Sequence, residues 1–193
     1  MEILQSKIEK FGSIIKRFIS FLKAPNLEDK NLFDGFSKAK VFISALIIAF
    51  IINFCFTIVF SIIEAMGYVS FEDHASTKLF EDYPPYVIVL LGVVVAPILE
   101  ELFFRGPITL FHTKYFIYVF YFFAITFGLI HITNFEITRN VLILAPILVG
   151  PQIVIGLLLG VIRIQYGLIY SILFHAIYNG ILIIPAVLFM TDL

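Results

Sequence analysis

The sequence predicts an all-α, polytopic membrane bundle of about five spanning helices behind an N-terminal amphipathic helix. Three observations predict it. Of 193 residues, 61% are hydrophobic and 14% are charged, against about 45–50% and about 25% in soluble domains. Five apolar stretches approach the ~20 residues that cross a bilayer. They are continuous runs, unlike the weak alternating segments of a closed barrel, and a helix satisfies its own backbone hydrogen bonds in lipid.

Taken in order, residues 2–23 carry Ile8, Phe11, Ile15, Phe18 and Leu22 at spacings of three and four, with Lys and Glu between them. This predicts an amphipathic helix, lying on an anionic membrane surface or packed on the ends of the spans. Its interleaved charge makes a secretory signal peptide unexpected. Residues 24–37, with Pro25, Asn26, Asp29, Asp34 and Gly35, read as a loop. Spans are predicted at about 41–63, 86–111, 115–132, 140–162 and 167–190. Pro146, Gly150 and Pro151 should kink or break the fourth. The aromatic run 115–123 is expected to face lipid and the interface. Residues 1–40 form the N-terminal segment and 41–193 the bundle.

Eight of the thirteen Lys and Arg residues precede Val41. With the N-terminus in the cytoplasm, Arg105, Lys114 and Arg163 also fall inside, and only Lys78 and Arg139 fall outside, a split of eleven to two. The loop 70–85, with Glu72, Asp73, Glu81 and Asp82, is then external, and Leu193 lies outside. Cys55 is the one cysteine, which excludes an intrachain disulfide and a cysteine-based metal site.

Ionisable groups inside spans are costly and mark function. Here Glu100, Glu101, Arg105, His131 and His175 lie inside spans, with Asn179 beside them. Glu101 and Arg105, four apart, share a helix face and can pair; Glu100 points about 100° away and has no cation on its own face. One glutamate is then structural and the other is free to act as a general base. His175 and Asn179 are also four apart, as are Phe127 and His131. At ~1.5 Å per residue, Glu100, His175 and Asn179 fall roughly 16, 12 and 18 Å from the inner ends of their spans and His131 roughly 24 Å, so a shared polar cavity is geometrically allowed. His74 and His112 fall in loops and are assigned no role.

At these residues the chain resembles the CPBP family of intramembrane proteases (CAAX-processing and bacteriocin-processing, or Abi). Glu100-Glu101 with Arg105 is similar to its first motif, Phe127 with His131 to its second, and His175 with Asn179 to its third, in family order over about residues 86–185. The resemblance implies an intramembrane endopeptidase in which Glu100 activates water with help from His131. His175 and Asn179 would stabilise the oxyanion, while Glu101 and Arg105 hold the site in shape. It implies a wet cavity opening towards the cytoplasm and a membrane-associated or prenylated peptide substrate. The family is conventionally called metalloproteases, and Glu100, His131 and His175 would be the ligands if zinc is bound; metal-free hydrolysis is the expectation. The expected setting is a bacterial plasma membrane, with membrane lipids as partners and no nucleic acid. The competing readings are a non-catalytic immunity or scaffold protein on the same fold and a proton- or ion-coupled carrier.

Overall fold

The computed structural model describes residues 1–72, 74–111 and 113–190; Asp73, His112 and Leu193 of the expectations above lie outside them. The described residues are all-helical, without strands, and five helices are long and apolar enough to cross a membrane. The amphipathic helix α1 spans Glu2–Lys23 and the first span, α2, Lys38–Ala65. A short helix, α3, covers Ala75–Asp82. The second span is composite: α4 (Pro85–Val89), a π-helical segment (Leu90–Val95), α5 (Ala96–Phe104) and a 3₁₀ turn (Pro107–Leu110). Then come α6 (Phe116–Ile130), α7 (Arg139–Leu148), α8 (Gly150–Tyr166) and α9 (Leu168–Met190).

The spans agree with expectation to within a few residues. The short α3 was missed: read as loop, it buries nothing, and its start is set by His74, whose Nδ1 accepts from the Ser76 backbone N–H at 3.2 Å. The fourth span breaks as anticipated. α7 ends at Leu148 with Pro146 inside it, and α8 restarts at Gly150 with Pro151 in its first turn.

α8 is the hub. Over an 18-residue stretch of its span 44% of the residues are buried, against 11% for α2, whose large exposed apolar side chains, such as Ile51, Phe54 and Ile58, form a surface suited to lipid. α6 lies against α8 through small residues. A Cβ added at Gly160 would meet Phe120 Cε2 at 2.7 Å, and Gly128 abuts Ile153 as closely from the other helix. Glycines four apart on α8, Gly156 and Gly160, thus let two backbones approach, as close packing in lipid requires. The aromatic run is divided: Tyr118 and Phe122 are exposed, but Phe116 and Phe120 are fully buried in this seam, which corrects the expectation that the run faces lipid. Helical periodicity requires the split, since residues four apart return to the same face.

α1 docks by its C-terminal half. Ile14, Phe18 and Phe21 are buried, with Phe21 edge-on to Phe120 at 5.5 Å, while Leu4 and Ile8 stay exposed. The following loop is fastened to it: Arg17 Nη1 donates to the Leu32 and Asp34 carbonyls at 2.7 and 2.8 Å, Tyr121 donates to the Leu22 carbonyl, and the Leu32 N–H reaches Gln165 Oε1 at 3.2 Å. The C-terminal end of α8 therefore sits at the α1 end of the bundle. A second apolar cluster, Ile63, Val69, Phe135, Val141 and Leu148, ties the loops together at the opposite end.

Two glycine substitutions should part company. Gly160→Ala pushes a methyl into the fully buried Phe120 ring and should cost about 1–3 kcal/mol. Gly12→Ala, with nothing within 4 Å of the new methyl, should stabilise α1 by roughly 0.5–1 kcal/mol. Thermal unfolding midpoints of the detergent-solubilised variants read both, one falling and the other holding or rising.

Candidate active site

The site begins with a helix defect. In the π-helical turn the Ala96 N–H bonds to the Leu91 carbonyl, five residues back. The next donor in that register would serve Gly92, but residue 97 is proline and has no N–H. Asn179 Nδ2 supplies the missing bond, donating to the Gly92 carbonyl at 2.9 Å. Gly92 admits the neighbouring helix: a Cβ there would lie 2.6 Å from Ile183 Cδ1. α9 is thereby held against the helix that carries both glutamates.

Beyond this turn Glu101 and Arg105 point inward and are 0% and 1% exposed. Arg105 Nη1 stands 3.3 Å from Glu101 Oε1, at ion-pair distance. Its Nη2 donates to the Gly156 carbonyl at 3.1 Å, and its guanidinium lies 4.1 Å from the centroid of the Phe127 ring. Gly156 makes room, since an added Cβ would sit 3.2 Å from Arg105 Nη2. The Glu101 carboxylate takes two further donors, His175 Nδ1 at 3.0 Å and the Ser171 hydroxyl. At the helix end the Arg105 carbonyl, an orphan by position, accepts from Arg163 Nε at 2.9 Å, and Arg163 Nη2 reaches Thr109 Oγ1 at 3.0 Å. The two buried charges are paired with each other, as burial demands, although Arg105 Nη1 makes no hydrogen bond of its own.

Glu100 faces the other way, as the spacing predicted. Its side chain is 30% exposed and lies 3.7 Å, oxygen to nitrogen, from His175 Nε2. His131 opens the 3₁₀ turn after α6, and its Nδ1 is 2.7 Å from the Phe127 carbonyl. A carbonyl can only accept, so Nδ1 carries the proton and the neutral ring keeps a lone pair on Nε2. By the same argument His175 donates Nδ1–H to Glu101 and presents Nε2 towards Glu100. Glu100, His131, His175 and Asn179 line one cavity of about 320 Å³, at the lower end of ligand-pocket sizes.

The cavity also takes lining from Ser76 and Asn134, on the loops between the first and second and between the third and fourth spans. Its mouth therefore lies at the end opposite α1. An opening at that end faces the cytoplasm only if the N-terminus does not. His74, assigned no role from sequence, borders this mouth. Burial, together with the nearby His131 imidazole, holds its ring below the usual histidine value, which keeps Nδ1 free to cap α3.

Among the described residues no three His, Cys, Asp or Glu side chains gather closely enough to hold a metal ion, Glu100, His131 and His175 included. The donor set as placed does not fit the zinc that the resemblance would allow. Ser171, Gly156, Arg163 and Gln152 were not singled out from sequence. Ser171 had a signal, being four residues before His175 on the same helix face; the other three depend on approaches between helices that spacing does not report.

Arg105→Leu strands a buried carboxylate and should cost about 3–5 kcal/mol. Glu100→Gln, at a partly exposed group outside that network, should change stability by less than about 1 kcal/mol. Unfolding of the two solubilised variants beside the parent chain measures the contrast.

A family model, Type II CAAX prenyl endopeptidase Rce1-like, matches residues 82–181, a stretch that contains all seven signature residues from Glu100 to Asn179. No curated protein and no solved structure matches the chain.

Proposed function

The chain belongs to the Type II CAAX prenyl endopeptidase Rce1-like family, and from that membership we propose that it hydrolyses a peptide bond inside the membrane with water activated by Glu100. The observation that carries this reading is the contrast between two adjacent carboxylates. Glu101 is sealed and triply engaged, while Glu100 is open to a polar cavity that it shares with two imidazoles.

In this reading Glu100 takes a proton from water, and His131 Nε2, left bare because Nδ1 is committed to Phe127, accepts the water's second hydrogen bond. The hydroxide adds to the scissile carbonyl carbon. Asn179 gives one amide hydrogen to Gly92 and keeps a second, which would donate to the oxyanion; His175 would join it only as an imidazolium, with a second proton on Nε2. Glu100 returns its proton to the leaving nitrogen as the carbon–nitrogen bond breaks. Glu101 and Arg105 touch no reacting atom; through Nδ1 they fix the orientation of His175. The substrate is a membrane-associated or prenylated peptide, the class the family's name describes. No step is routed through zinc, because Glu100, His131 and His175 do not gather as a ligand set among the described residues.

The test is cleavage of quenched-fluorescence peptides by the purified, detergent-solubilised chain. Glu100→Gln and His131→Gln should each lower the rate by about 10²–10⁴-fold with unfolding midpoints retained. Parent-level cleavage by both variants would overturn the mechanism. Dialysis against a strong zinc chelator should leave the parent rate unchanged; a loss restored by zinc would overturn the metal-free chemistry.

A further inference from the structure

Which side of the membrane the catalytic groups face follows from two observations that are independent of each other. The first is where the cavity can be entered. Ser76 and Asn134 lie at its mouth, and both belong to loops remote from α1. Towards the α1 end the cavity is backed by buried groups. There the floor is the Glu101–Arg105 pair with Arg163 hydrogen-bonded beneath it, and under that Phe116, Phe120 and Ile162 are at most 1% exposed.

The second is charge. Lys114, Arg163 and the eight basic residues before Val41 lie at the α1 end, whereas Lys78 and Arg139 lie at the mouth end with Glu72, Glu81, Asp82 and Glu136. Basic residues in short loops mark the cytoplasmic side. The exposed lysines of α1, beside exposed Leu4 and Ile8, also suit the anionic inner leaflet.

Together these lead us to infer that the active-site cavity opens on the extracytoplasmic face, and that its substrate is an internal peptide segment presented from outside the cytoplasm. The lining supports the substrate half. Among the described residues no Lys or Arg lines the cavity, so its lining offers no permanent cation to a chain-terminal carboxylate. Instead Asn53, Asn134 and Gln152 offer carboxamides, and the buried Gln152 Oε1 has no hydrogen-bond partner. Carboxamides match the donor and acceptor of a peptide backbone, which must be paired once it leaves water. The tail of a cytoplasmic prenylated protein would have to cross the bilayer to reach Glu100.

The substrate half rests on the endopeptidase reading; the sidedness half does not. In a Cys55→Ser background, the full chain carrying Ser76→Cys or Glu136→Cys is exposed to a membrane-impermeant maleimide in intact cells. Both should label, while Ser20→Cys on α1 should label only after lysis. Labelling of Ser20→Cys in intact cells, or of the mouth cysteines only after lysis, would overturn the inference. In sealed vesicles sorted by orientation, water-soluble end-blocked peptides added outside should be cleaved only where the mouth faces outward. Cleavage regardless of orientation, or a demand for a free carboxylate, would overturn the substrate half. A solubilised parent no faster than Glu100→Gln would overturn the endopeptidase reading, and the labelling result would still decide which way the cavity faces.

Discussion

The ion pair between Glu101 and Arg105 is the constraint around which the bundle is arranged. Two charges in a lipid-solvated interior are stable only when desolvation is offset by close pairing and further hydrogen bonds. The chain provides them from three other helices: the Gly156 carbonyl and the Phe127 ring face the guanidinium, and Ser171 and His175 face the carboxylate. Satisfying this pair therefore brings α5, α6, α8 and α9 together. His175 reaches a fixed orientation as a by-product, and so does Phe127, whose own carbonyl then holds His131.

This explains why adjacent glutamates behave differently. A helix turns about 100° per residue, so neighbouring side chains cannot share an environment. One enters the sealed network and the other is left at the edge of a polar cavity, 3.7 Å from His175 Nε2. The proposed chemistry needs only one reactive carboxylate, and the second stiffens the frame around it. Such a site suits membrane burial because its charges are balanced beneath the cavity floor.

Much of this was legible in the sequence because helical spacing reports on single helices. The Glu101–Arg105 pair, the opposite aim of Glu100, the break near Gly150 and the five spans all follow from intervals of three to four residues or from apolar run length. What escaped depends on how helices meet. The roles of Gly156 and Arg163 are set by partners 51 and 58 residues away. Phe116 and Phe120 looked lipid-facing because composition cannot say which stripe of an aromatic helix a neighbour will cover. Which end of the bundle the cavity reaches escaped for a different reason: the loops that line it there, with Ser76 and Asn134, lie among residues that carry no signature.

The widened turn at Leu90–Val95 has a consequence for how the span accommodates changes of length. A π-helical turn holds one residue more than the α-helical turn it replaces, while the helices on either side keep their phase. Shortening the chain by one residue within that stretch would let it relax to ordinary α-helix with Glu100 and Glu101 still facing their present neighbours. The same deletion between Ala96 and Leu99 would turn the acidic pair by about 100° relative to Pro85–Val89. Insertions and deletions in the second span should therefore be confined to this turn, where length can vary without re-aiming the chemistry.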